Sequence, residues 1–174
     1  MDFTQAIVQF IELRTFSNVW YWLVVAVTWA MASHWLIGVP FDMLFRARRA
    51  QGPAMDDLHV IVELQVRRIT YFDDLVGPFV IAFGAFFVSG VGMLGFFYGI
   101  EIAQGAFVLL APLSFIGLIN LRLAQKLRAA PLVGPDLVRH LFKVRLWTQM
   151  IGALALFFTA IYGMYFNLTE AFVL

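Results

Sequence analysis

An almost wholly apolar stretch runs from Val76 to Leu121, and Glu101 is its only charged residue. Glu101 divides the stretch into residues 76–100 and 102–121. At about 1.5 Å per helical residue the two parts extend about 37 Å and about 30 Å, while the hydrocarbon core of a bilayer is about 30 Å thick. The pattern therefore predicts two transmembrane helices joined by a tight turn near Gly99–Gln104.

Two further apolar segments, residues 19–44 and 146–166, predict a first and a fourth span. The first begins with aromatic residues at positions 20–22, which is typical of a membrane interface. Pro40 lies near its other end, where we expect it to kink the helix or to begin an interfacial extension. The hydropathy pattern thus predicts four membrane crossings.

Three shorter segments are amphipathic: residues 3–14, 55–72 and 136–145. Residues 3–14 are expected to form a helix on the membrane surface. Residues 55–72 are too short and too charged to span, so they either lie on the surface or extend the next helix. The sequence therefore predicts a single all-α membrane domain, residues 1–174: a four-helix bundle with short cytoplasmic amphipathic helices.

Basic residues are confined almost entirely to two segments. Arg14 lies apart, and the other eleven of the 12 Lys and Arg residues fall within Arg46–Arg68 and Arg122–Arg145. Both segments follow odd-numbered spans, so the positive-inside rule places them in the cytoplasm and places both termini and Glu101 outside. Six of these residues are predicted to bind anionic lipid headgroups: Arg46, Arg48, Arg49, Arg122, Lys126 and Arg128.

The composition excludes several classes of function. The chain is 62% hydrophobic and 13% charged, whereas about 25% charge is usual in a soluble domain. It has no cysteine, so disulfides, thiolate catalysis and Cys-ligated zinc or iron–sulfur clusters are ruled out. No nucleophile–base pair, zinc-protease pattern, phosphate-binding loop or nucleic-acid motif is present. We therefore expect no enzyme activity, cofactor, metal site or nucleic-acid partner.

Three ionisable residues near or inside the spans are candidates for function. His34 lies within the first span, where an ionisable group is costly, and it could relay protons, ligate haem or hydrogen-bond between helices. Asp73 and Asp74 could bind a cation as a pair of carboxylates. The favoured interpretation is that they interact with Arg67 or Arg68 or remain solvated at the interface.

Other polar and small residues complete the set of candidates. Glu101 either attracts cations at an outer vestibule or is a solvated turn residue, and Asn120 and Gln149 are expected to hydrogen-bond between helices. Small residues four apart allow close helix packing, and we expect them to support oligomerisation. They are Ala85, Ser89, Gly95, Gly99, Ala155, Thr159 and Gly163.

The first third of the chain resembles a family of short inner-membrane proteins of alphaproteobacteria. The resemblance rests on residues 14–18, 20–22, 32–35, 38–43 and 46–49, and it continues loosely through all four spans. Members are often labelled as a component of the Suf iron–sulfur assembly complex. The resemblance implies a bacterial inner-membrane location and a partner role, with no established functional residues.

The expected function is that of an accessory or scaffold subunit acting through helix and lipid contacts. Its partners would be membrane lipids and either further copies of the chain or the subunits of a larger membrane complex. The alternative is a small homo-oligomeric channel or transporter that handles ions or protons near His34 and Glu101.

Overall fold

The computed structural model describes residues 19–49 and 52–171, without the side chains of residues 33–36, 167 and 169–171. Its elements are α1 (Val19–His34), β1 (Trp35–Leu36), β2 (Val39–Pro40), α2 (Phe41–Arg49), α3 (Pro53–Phe96), α4 (Glu101–Ala129) and α5 (Gly134–Ala171). The all-α class is confirmed, and α3, α4 and α5 are each long and apolar enough to cross a membrane. The helix predicted at residues 3–14 lies outside the described residues.

The first predicted span, residues 19–44, is wrong as one continuous helix. α1 ends at His34, and β1 and β2 then form a small antiparallel hairpin that pairs Trp35 with Pro40 and Leu36 with Val39. The two residues between the strands, Ile37 and Gly38, both have positive φ, at 52° and 72°. Positive φ at both central residues is the geometry that favours a tight two-residue hairpin.

Ile37 adopts this backbone although a β-branched residue at positive φ is strained by about 1–3 kcal/mol. Its side chain is only 4% exposed and belongs to the main hydrophobic core. Burying an isoleucine contributes about 1.5–3 kcal/mol, enough to offset the strain. The hairpin is therefore held by tertiary packing, and α2 leaves it as a separate short helix.

The amphipathic segments at residues 55–72 and 136–145 are not separate surface helices. The first is part of the 44-residue helix α3 and the second is part of the 38-residue helix α5. Of the two alternatives for residues 55–72, extension of the next helix is confirmed. At about 1.5 Å per residue, α3 is about 66 Å long and extends well beyond a bilayer.

α3 and α4 form a close antiparallel hairpin through the turn at residues 97–100. Gly95 makes this approach possible, because a Cβ atom there would lie 2.8 Å from the backbone nitrogen of Gln104. Gly99 has φ 72° and lies in the turn, so the prediction that it packs between helices is wrong.

The main hydrophobic core lies in the charged part of the chain. We call residues 37–75 and 122–145 the head, and the apolar residues 19–34, 76–121 and 146–166 the stem. The buried residues of the head form one cluster: Ile37, Val39, Leu44, Ala47, Leu58, Val62, Val66, Leu123, Ala124, Leu127, Leu137, Val138 and Leu141. All of the helices except α1 contribute to it.

The core of the stem is smaller and brings α1 beside α4 and α5. Its fully buried residues are Val25 and Trp29 of α1 and Ile116 of α4. Trp29 lies against α5 where a Cβ on Gly152 would approach its ring to 2.9 Å. Most large side chains of the stem segment of α3 are exposed, which is expected of a surface that faces lipid or another protein.

Candidate functional site: the basic head and its junction with the stem

Arginines of α2 and α5 pack over phenylalanine rings at the surface of the head. The Arg48 guanidinium carbon lies 4.9 Å from the centre of the Phe142 ring, and that of Arg145 lies 4.0 Å from the Phe41 ring. The two rings meet edge to face at 6.2 Å. Such contacts hold a guanidinium in place without neutralising it. This surface can therefore present fixed positive charge to an anion.

The other residues predicted to bind headgroups differ in whether their charge is already paired within the chain. Arg46 forms an exposed ion pair with Asp42 at 3.1 Å, and Arg49 lies over the Phe45 ring at 4.5 Å. Arg122 and Lys126 are exposed. Arg128 instead bonds to Asp74 at 2.6 Å, so it is the member of the set least available to lipid.

Asp73 and Asp74 both bind α4. Gln125 Nε2 donates to the Asp73 carboxylate at 2.6 Å, and Arg128 donates to Asp74 at the same distance. The predicted partners Arg67 and Arg68 are wrong, since Arg67 bonds to Glu63 on its own helix at 2.6 Å. The two aspartates thus tie α3 to α4 just below the apolar segment, a contact worth about 0–1 kcal/mol at this exposure.

A buried polar cluster that the sequence reasoning missed lies at the end of the stem farthest from the head. Gln104 is 7% exposed; its Nε2 donates to the Gly95 carbonyl at 2.9 Å, and its Oε1 accepts from the Tyr162 hydroxyl at 3.0 Å. The Tyr21 hydroxyl donates to the Gly105 carbonyl at 3.2 Å. The cluster joins α1, α3, α4 and α5 beside Glu101, the half-buried first residue of α4.

Two residues predicted to hydrogen-bond between helices do not do so in the described part of the chain. Asn120 lies between α4 and α3, where its Oδ1 is buried without a hydrogen-bond partner. A buried acceptor without a donor costs about 1–3 kcal/mol. Gln149 is exposed on α5. The side chain of His34 lies outside the described side chains, so the roles predicted for it stay predictions.

The small residues divide between buried and exposed positions. Gly95, Thr159 and Gly163 are buried, Ala155 packs on the stem core beside α1, and Ala85 and Ser89 are exposed on α3. The Thr159 hydroxyl donates to the Ala155 carbonyl of its own helix at 2.7 Å. Gly95 therefore acts within the chain, and the exposed pair on α3 remains available for a neighbour.

Two features of the head involve histidine. The backbone nitrogen of Gly134 donates to His59 Nε2 at 2.9 Å, so His59 anchors the start of α5 to α3.

The pKa of His140 is lowered below its ordinary value of 6.5. Burial is the largest cause, and the charges of Lys126 and Lys143 add to it. Among the side chains that the structure describes, no three His, Asp or Glu residues are grouped to hold a metal ion.

An open groove of about 570 Å³ lies where the head meets the stem. The Ile37-Gly38 turn, α3 and the part of α4 at Asn120 form its walls. Arg68 lies toward its head end, and Val80 and Ile81 lie toward its stem end. The head end of the groove thus carries charged and polar side chains beside the apolar Ile69 and Phe72, whereas Val76, Val80 and Ile81 make the α3 wall of its stem end apolar.

Comparisons with known proteins give no further constraint: no family model, curated protein or solved structure matches this chain. A function is therefore inferred from three features: the helices long enough to span a membrane, the packed basic head, and the groove where head and stem meet.

Proposed function

We propose that this chain is a non-enzymatic accessory or scaffold subunit of the bacterial inner membrane, whose stem crosses the bilayer and whose head stands at the cytoplasmic face. The observation that carries the proposal is the distribution of packing. The tight core lies in the charged head, whereas only 6% of the most apolar 18-residue window of α3 is buried within the chain. A well-packed polar head on an exposed apolar stem suits docking between a membrane complex and the cytoplasm.

The proposed orientation has the head inside and the Glu101 turn outside. The eleven clustered basic residues all belong to the head or its immediate connections, which fits the positive-inside rule. Arg48 and Arg145, held over aromatic rings, would meet anionic lipid headgroups at about 1 kcal/mol for each well-placed charge. Both termini would then be periplasmic.

A fourth crossing by α1 is part of the proposal, although α1 alone has only 16 residues. As a helix it is about 24 Å long, and the two extended residues of β1 add about 7 Å, which together approach the thickness of the hydrocarbon core. Its position supports the crossing: Tyr21 bonds beside the outer turn, and Ile37 lies in the head core.

The stem is proposed to bind other protein as well as lipid. α3 exposes a row of large aromatic side chains, including Phe79, Phe83 and Phe86 at 79%, 69% and 76% exposure. The exposed small residues Ala85 and Ser89 lie on the same helix and allow close approach of another helix. We therefore propose a homo-oligomer or a place within a larger membrane complex.

The orientation is tested by thiol labelling. Because the chain has no cysteine, a single introduced cysteine is the only thiol. Tyr98→Cys lies in the outer turn and Val133→Cys lies between α4 and α5; both side chains are well exposed, at 64% and 69%. A membrane-impermeant maleimide should label Tyr98→Cys in intact spheroplasts, and Val133→Cys only after lysis. The reverse pattern, or labelling of both in intact cells, would overturn the proposed topology.

The subunit role is tested by purification in mild detergent followed by reconstitution. A stable, stoichiometric complex with a second protein, and no ion flux from the chain alone in liposomes, is the expected result. A pure homo-oligomer that conducts ions or protons in liposomes would instead establish the channel. Tyr98→Cys and Val133→Cys, unlabelled, serve as controls because neither changes the stem helices.

A further inference from the structure

The groove at the junction of head and stem changes character along α3. Its head end is lined by Gln65 and Arg68, and its stem end by Val76, Val80 and Ile81. Arg68 and Ile81 are separated by 13 positions, about 20 Å along a helix. One leaflet of a bilayer with its headgroups has about that thickness, so the change from polar to apolar matches the length of one lipid molecule.

Arg68 is the cation of the groove, and it has no acidic partner among the described residues. Its neighbour Arg67 does not line this groove, because it is about 100° further round α3, and it is bound to Glu63. Asp73 also lines the groove, but Gln125 holds its carboxylate on the α4 side. A phosphodiester accepts hydrogen bonds from a guanidinium well, and repulsion from Asp73 would keep it at the head end.

Asn120 closes the wall of the groove on the α4 side. Its Oδ1 is buried at the groove wall and accepts no hydrogen bond from the described residues. Buried acceptors in native proteins are nearly always paired with protein or with an ordered molecule. Because this atom is closed off from the open space of the groove, a water enclosed between α3 and α4, and not the occupant of the groove, would supply the missing donor.

We propose that this groove binds one phospholipid, with its phosphodiester on Arg68 and an acyl chain along Val76, Val80 and Ile81. The proposal rests on the proposed placement of the stem in the bilayer. It assigns to the chain a specific lipid site, separate from the arginine and phenylalanine surface formed by α2 and α5. A lipid held there would fill the space between the Ile37-Gly38 turn and α3.

Native mass spectrometry of the full chain, stripped of lipid in mild detergent and titrated with dioleoylphosphatidylglycerol, tests the site. The wild-type chain should bind one molecule of the added phospholipid. Arg68→Gln removes the guanidinium, and Ile81→Trp fills the apolar end; each should weaken binding about tenfold or more, as expected for loss of a charged hydrogen bond or of the cavity. The matched controls Arg67→Gln and Phe79→Trp lie on other faces of α3 and should bind like wild type.

Three further probes separate the possible sources of the ligand. Dioleoylglycerol lacks the phosphate, while glycerol phosphate and inorganic phosphate lack the chains, and all three should bind at least tenfold more weakly than the phospholipid. Equal binding of inorganic phosphate would overturn the lipid site in favour of a free anion site. Equal occupancy in wild type, Arg68→Gln and Ile81→Trp would overturn the groove altogether.

Failure of this proposal is distinct from failure of the proposed function. If thiol labelling shows the predicted topology but Arg68→Gln and Ile81→Trp bind as much lipid as wild type, only the groove is refuted. If Tyr98→Cys and Val133→Cys are both labelled in intact cells, the placement of the stem fails first. Thermal melting of Arg68→Gln and Ile81→Trp in detergent tests whether an altered occupancy is caused by unfolding. These two variants act at opposite ends of the groove.

Discussion

Replacing Leu58 by alanine tests whether the head is the stable unit of this protein. Leu58 is 0% exposed and lies in the cluster that joins α2, α3, α4 and α5. Leu64 is on the same helix, less than two turns away, and is 60% exposed. The same substitution at the two positions therefore removes the same atoms from a packed core and from the surface.

The expected difference is large. A buried leucine replaced by alanine typically costs about 2–5 kcal/mol, through lost transfer free energy and the cavity left behind. We expect about 3 kcal/mol for Leu58→Ala and within about 0.5 kcal/mol for Leu64→Ala. With a urea dependence of about 2 kcal/mol per molar, the midpoint for Leu58→Ala should fall by about 1.5 M.

Urea unfolding in mild detergent, followed by far-ultraviolet circular dichroism, measures both variants. Phe86→Ala, at a stem position that is 76% exposed, is a third comparison and should leave the midpoint near that of wild type. If Leu58→Ala and Leu64→Ala shift the midpoint equally, the head is not packed as described. If Phe86→Ala costs as much as Leu58→Ala, the stem rather than the head carries the stability.

Two further predictions concern helix packing and pH. Gly95→Leu should lower the melting temperature in detergent, because overpacking against the α4 backbone costs about 1–3 kcal/mol. Gly90→Leu is the control and should leave the melting temperature unchanged, because there is open space where its Cβ would lie. Equal effects of the two substitutions would contradict the close crossing of α3 and α4. His140 has a lowered pKa, so the unfolded chain takes up the proton first and stability should fall as pH drops from about 6.5 toward the folded pKa. His140→Gln should flatten this part of a stability–pH curve, and an unchanged curve would contradict the burial of His140 beside Lys126 and Lys143.

The apolar segments could be predicted from the sequence because lipid-facing helices need long uncharged runs. The break after His34 could not, because Ile37 and Gly38 lie inside an apolar run and isoleucine does not favour positive φ. The hairpin exists because Ile37 is buried in the core to which α3, α4 and α5 contribute. Local preference and tertiary packing disagree there, and packing determines the structure.

The sequence was also a poor guide to pairing between helices. Asp73 and Asp74 have basic neighbours at Arg67 and Arg68, yet their partners are 52 and 54 positions away, on α4. Gln104 carried a signal that the reasoning did not use: an amide in an apolar segment needs partners, and it finds them in Gly95 and Tyr162. The depth of Asn120 in a groove depends on how α3 and α4 cross, which hydropathy does not encode.

Because α3 is one continuous helix, a tilt of its stem segment also moves its end in the head. A tilt of about 10° in a rod about 66 Å long displaces its far end by about 11 Å. Transmembrane helices tilt to match bilayer thickness, so a change in thickness around the stem would displace Pro53 at the far end of the head. Pro78 removes a backbone hydrogen bond where α3 enters the apolar region, which makes that turn the place where the helix would bend.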